Sequence, residues 1–143
     1  MLCKKVESAE DIEKCRNLIL DFRPHLDAGN LAVQVIRMIR EGGYKIVYAV
    51  DEDTNSAMGF AGYRKYEMLR TGKIIYIDDL YTAPESRKKG CAAALLGFIE
   101  SEAREQQVQS IHLDSGYALH PAHRLYLNQG YILACNHFAK PVA

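Results

Sequence analysis

The chain has 143 residues, enough for one domain with a sizeable core, and its 48% hydrophobic and 25% charged residues are ordinary for a soluble globular protein. Lys plus Arg and Asp plus Glu are equal at 18 each, so no global field exists to recruit nucleic acid or an anionic membrane. The first residues hold no apolar run of signal-peptide length, no stretch approaches a bilayer span, and Cys3, Cys15, Cys91 and Cys135 form no Cys-x-x-Cys pair; a cytoplasmic protein with reduced thiols is expected.

In chain order, Leu2 to Val6 is a short β candidate. Ser8 reads as an N-cap with Glu10 and Asp11 in the first turn, and Ile12, Cys15, Leu18, Ile19 and Phe22 follow at helical spacing until Pro24 stops the helix. Asn30 is the expected cap of a second helix faced by Val33, Ile36 and Ile39 and ended by Gly42-Gly43. Tyr44 to Val50 and Met58 to Tyr66 read as strands joined by a polar turn, a hairpin signal. A further turn leads into a β-rich run from Ile74 to Pro84, and then a helix carries Ala92, Leu95, Leu96 and Ile99. Ser110 to Leu113 form a fifth strand, Pro121 to Asn128 a short helix, and Tyr131 to Phe138 a last strand. The order β α α β β β α β α β, without repeat or linker, implies a single α+β domain over residues 1–143. Its sheet is mixed and mostly antiparallel, six- to seven-stranded, with helices on both faces.

Between the fourth strand and the third long helix stands Arg87-Lys88-Lys89-Gly90-Cys91-Ala92. A strand feeding a basic, small-residue turn at a helix start is an anion-binding geometry, because first-turn N–H groups lack helical partners and the dipole adds positive potential. Neither a Gly-x-x-x-x-Gly-Lys-Ser/Thr string nor a Gly-x-Gly-x-x-Gly string is present, which argues against a nucleoside-triphosphate loop and a dinucleotide fold. The pattern Arg87-x-x-Gly90-x-Ala92, preceded by Asp78-Asp79-Leu80-Tyr81-Thr82, resembles the pyrophosphate loop of the GNAT acyltransferase superfamily. A second stretch, Ala122-His-Arg-Leu-Tyr126-Leu-Asn-Gln-Gly130-Tyr131, resembles that family's last motif. The two cover about the C-terminal half, and the element order agrees with the GNAT fold.

The resemblance implies an N-acetyltransferase that moves an acetyl group from acetyl-CoA to a primary amine by direct attack through a ternary complex. Arg87, Lys88, Lys89, Gly90, Cys91 and Ala92 would hold the pyrophosphate, with Lys88 standing where the family often has glycine. The backbone of Leu80, Tyr81 and Thr82, freed by a bulge, would bond the pantetheine arm like an added strand. Tyr126 would protonate the leaving thiolate, and Asn128 would reach the cofactor from the same helix. Cys91, in the phosphate loop, is too far from the thioester end to carry the acyl group.

Asp78 and Asp79 are the candidate general bases. Adjacent residues of a flat strand point to opposite faces, so one acid should face the site; Asp79 is favoured, and a bulge would reverse the faces. The bland alternative is one solvated acid and one that caps a bulge or pairs with an arginine. Asp114 either holds the substrate amine or caps the next loop, and Tyr63, Tyr66 and Phe22 to Leu26 are pocket walls or packing. His112, His120, His123 and His137 have no acid or cysteine at ligand spacing, so no metal is expected. The acceptor is a small-molecule amine or a peptide or protein amine, with neither nucleic acid nor membrane as partner. A homodimer is compatible with the chain. The competing reading is a non-catalytic acyl-CoA binding or sensing domain, which would need neither Tyr126 nor the acids.

Overall fold

A computed structural model describes residues 1–143. Its elements run β1 (Leu2–Lys5), α1 (Ala9–Phe22), α2 (Leu31–Gly42), β2 (Lys45–Val50), β3 (Ala57–Met68), β4 (Gly72–Thr82), α3 (Cys91–Glu105), β5 (Ser110–Leu113) and α4 (His120–Asn128). Five strands form one mixed sheet in the order β1-β2-β3-β4-β5, with the first four antiparallel in succession. The α+β class with helices on a mixed sheet stands; the count of six to seven strands does not. Residues after Asn128 form neither helix nor strand. Tyr131 to Phe138 has the apolar content of a strand, but a strand exists only through a partner's backbone, and here Ile132, Leu133 and Phe138 stand exposed.

The chain divides into two compact units, Met1–His112 and Leu113–Ala143. In the first, one sheet face is packed by α1 and α2. Ile12, Cys15, Leu18 and Ile19 meet Leu31 and Val35 from α2 and Tyr44, Ile46, Tyr48, Val50 and Phe60 from the sheet. Helix α1 starts as its sequence directs, with the Ser8 hydroxyl accepting from the Asp11 N–H. Asn30 makes no side-chain cap; Asp27 caps a 3₁₀ turn ahead of α2 by accepting from Gly29 N–H at 3.0 Å. Helix α3 covers the opposite face. There Glu102, only 4% exposed, pairs with Lys5 and lies against the Tyr63 hydroxyl. Burial pushes the Glu102 carboxyl up, but Lys5 and Tyr63 pull it down further, so its net shift is downward. Tyr63 is therefore core packing, not a pocket wall.

Candidate active site

The site is built on β4. Gly62 of β3 pairs with Asp79 and Tyr63 with Ile77, so Asp78 is an extra residue, a β-bulge. Alternation alone would send the two acids to opposite faces. The bulge instead turns both toward the side carrying α1 and α2, where each meets an arginine. Arg64 Nε donates to Asp78 Oδ2 at 2.8 Å. Arg23 donates to Asp79 Oδ1 through Nε at 3.1 Å and Nη2 at 2.9 Å, and Nη2 also reaches the Asp78 carbonyl at 3.3 Å. The Tyr44 hydroxyl donates to the other Asp79 oxygen at 2.6 Å.

Local sequence explains these placements. Pro24 cannot continue α1 and biases its predecessor away from helix, so Arg23 leaves the last turn with φ −125° and ψ 70° and swings to β4. Tyr44 follows the left-handed Gly43 that ends α2, and its ring passes directly over Gly62. A Cβ at Gly62 would sit 1.8 Å from the Tyr44 hydroxyl oxygen, so only glycine permits the contact with Asp79. Burial, then Asp79, pushes the Tyr44 phenol well above its ordinary range, keeping it a donor. The Asp78 carboxyl is raised by burial, which outweighs the lowering by Arg64.

Further along β4, Ala83 N–H donates to Met58 O at 2.9 Å. By the alternation of an antiparallel ladder, Tyr81 also turns its groups to β3, whereas Leu80 and Thr82 direct theirs to the outer edge. Beside that edge lies β5, preceded by Gln109, which exchanges hydrogen bonds with Lys73 at the start of β4. Four residues of β5 reach about 13 Å, whereas the eleven of β4 reach about 36 Å. The outer edge at Leu80–Thr82 thus extends past β5.

The turn follows. Arg87 Nε donates to Thr82 O at 3.3 Å and its guanidinium lies 5.9 Å over the Tyr81 ring. Lys88 has φ 62° and Gly90 φ 82°, and α3 begins at Cys91 with no side-chain cap. Nothing stands within 4 Å of where a Gly90 Cβ would be, so the uncapped N–H groups have open space in front of them. Cys91 offers only its N–H to this space, because its side chain is buried and its sulfur faces Gly59 on the sheet.

In the second unit Tyr126 is half-buried on α4, 5.9 Å from the Tyr131 ring, and burial raises its phenol. Asn128 ends α4, exposed. Asp114 lies 3.0 Å from His137 Nδ1, and the His123 Nε2 is 2.8 Å from Gly116 O. His112 Nε2 is 2.8 Å from the Ser110 hydroxyl. The sequence offers no signal for Arg64 or Tyr44, and Arg23 enters it only within the stretch Phe22 to Leu26, read as pocket wall or packing. Gly62 was the available clue, a glycine inside a strand facing an acid.

Residues 12–131 match the model of the acetyltransferase (GNAT) family. The D-amino-acid N-acetyltransferase HPA3 of Saccharomyces cerevisiae is 30% identical over 84 residues, 58% of this chain and 52% of that protein. The chain thus spans about half the length of the curated relative it matches. Among solved structures, a ribosomal-protein-alanine N-acetyltransferase from Brucella melitensis biovar Abortus 2308 superposes with a TM-score of 0.81 at 14% identity, covering 99% of each chain. An aminoglycoside N-acetyltransferase in complex with CoA gives 0.84 at 12% identity, over 99% of this chain and 95% of that one. At these identities the structures speak for the fold.

Proposed function

The chain belongs to the acetyltransferase (GNAT) family, and from that premise we propose that it transfers an acetyl group from acetyl-CoA to a primary amine within a single domain. One observation carries the reading. Along β4 stand, in order, an acid pair at 78–79, an outward backbone edge at 80–82 and an uncapped helix start after Arg87. An acyl-CoA presents its thioester, its amide-bearing arm and its pyrophosphate in the same order. The N–H groups of Gly90, Cys91 and Ala92, with Arg87, Lys88 and Lys89, form the pyrophosphate seat; Asn128 is a further cofactor contact. The outward backbone groups of Leu80 and Thr82 take the pantetheine amides, while those of Tyr81 are already paired with β3.

In this reading the two acids have different roles. Both oxygens of Asp79 are engaged, by Arg23 and Tyr44, so Asp79 orients its neighbours. Asp78, raised by burial, is the better proton acceptor and takes the proton of the incoming ammonium, directly or through water. The freed amine attacks the thioester carbonyl, whose developing charge the outward N–H of Leu80 stabilises. Tyr126, a phenol kept protonated by its surroundings, gives a proton to the departing sulfur.

The test is thiol release from acetyl-CoA with a panel of primary amines. Amine-dependent release with a matching N-acetyl product supports transfer. CoA binding without release toward any amine would make the protein a binding or sensing domain.

A further inference from the structure

The acid pair does not form a bare anionic pocket. Two carboxylates, Asp78 and Asp79, face two guanidiniums, Arg23 and Arg64, so the cluster offers a polycation no surplus of negative charge. The two arginines differ in how they are held. Arg64 also donates to the Gly42 carbonyl at 3.3 Å and packs 5.2 Å from the Tyr44 ring. Arg23 spends only Nε and Nη2, both toward β4, and its Nη1 has no hydrogen bond. Its side chain is 40% exposed although its partner Asp79 is 15% exposed. The guanidinium carbon also lies over the Phe22 ring, 4.0 Å from its centre, and that ring stacks on Tyr81 at 5.0 Å.

A guanidinium pinned on one edge, backed by an aromatic face and open on the other edge is pre-organised for an anion. Little entropy is lost when a carboxylate docks, because the fork is already in place. The base belongs to the same cluster: Arg23 Nη2 donates to the Asp78 backbone carbonyl at 3.3 Å, and the Arg23 charge is felt by the Asp78 carboxyl. A molecule that carries an amine and an anion close together could use Asp78 and the open edge of Arg23 at once.

We propose that the acceptor is an amino acid, and that Arg23 reads its carboxylate while Asp78 receives the amine's proton. The proposal rests on the acetyl-transfer reading of the same site. Tyr44 and Asp79 then have a definite part in it. With both Asp79 oxygens bonded, the acid is a fixed anchor that sets the plane of Arg23 and does not compete for the ammonium.

The experiment measures kcat/KM for several amino acids in both configurations, each beside its own carboxamide, with spermidine as a polycation. The carboxamide has the less basic amine, so intrinsic reactivity runs against the proposal. A charge-assisted contact of this kind is expected to favour the acid over the amide by about 10–100-fold, mainly through KM. Arg23→Gln should bring the ratio toward unity, and Arg23→Lys should keep part of it. Acid and amide acetylated alike by the unaltered protein would overturn the proposal while leaving acetyl transfer standing. A preference that survives Arg23→Gln, or spermidine outperforming every amino acid, would overturn it too. Acetylation of none of these amines would sink both this proposal and the reading beneath it.

Discussion

Replacing Gly62 by alanine adds one methyl group at the point where the acid pair is locked. The new carbon would lie 1.8 Å from the Tyr44 hydroxyl oxygen, 2.3 Å from Cζ and 2.6 Å from Cε1, all far inside contact distance. Tyr44 is only 4% exposed, so its ring has no free volume to retreat into. Overpacking of this kind costs about 1–3 kcal/mol. Moving the ring also breaks the 2.6 Å bond to Asp79, a bond to a charged acceptor and so worth about 1.5–3 kcal/mol. The sum is roughly 2.5–6 kcal/mol, and Tyr44→Phe, which loses only the bond, should cost about 1.5–3 kcal/mol. For a chain of this length Gly62→Ala should lower the melting temperature by about 10 °C, read by circular dichroism. Acetyl transfer should fall as well, because Asp79 and Arg23 lose their fixed plane. A Gly62→Ala protein that melts with the unaltered one would refute the packing argument, and one that melts early yet keeps its full rate would refute the link to function.

Gly90→Glu sets bulk, a strained positive φ and negative charge against the uncapped start of α3, so calorimetry should show CoA affinity falling at least tenfold in a folded protein. Tyr126→Phe should reduce kcat by about 10²–10⁴ with little change in CoA affinity, measured under conditions where chemistry limits the rate. Asp78→Asn should remove most activity at neutral pH and recover partly in alkali, where the amine is already free. The folded carboxyl is raised, so activity that depends on its anion is lost as pH falls through a midpoint above that of an ordinary Asp; a pH profile in unaltered enzyme reads that midpoint. Glu102 shifts the other way. Its folded carboxyl is lowered, so its contribution to stability is present above the unfolded value and lost as pH falls. Glu102→Gln should therefore destabilise the protein at neutral pH, and the gap in melting temperature should close in acid.

Most of the fold was legible because apolar residues recur at the period of the element that holds them. Ile12, Cys15, Leu18 and Ile19 appear as one helix face in the sequence and form one in the core. The basic turn ahead of α3 was legible for a different reason: its shape depends on the local backbone, and Gly90 and the basic residues before it are consecutive. Where legibility failed, the cause lay in distant partners. Asp78 and Asp79 were expected on opposite faces because periodicity assumes an unbroken ladder, and a bulge appears only when both strands are compared. Arg23 lies 56 positions from Asp79, and nothing local to either predicts the other. Residues 131–138 erred in the opposite sense, with strand composition but no neighbouring backbone to pair with.

The bulge also decides which edit to β4 the fold can absorb. Because Ile77 and Asp79 oppose adjacent residues of β3, Asp78 is an insertion in an otherwise regular ladder. Excising it would close the ladder with every other side chain of the strand still on its present face. Ile77 would stay beneath α3, and Tyr81 would keep its stack on Phe22. The chain therefore holds, at one position, a residue its architecture can do without and the proposed chemistry cannot. A version shortened by Asp78 should be a folded scaffold that has lost the proposed proton acceptor.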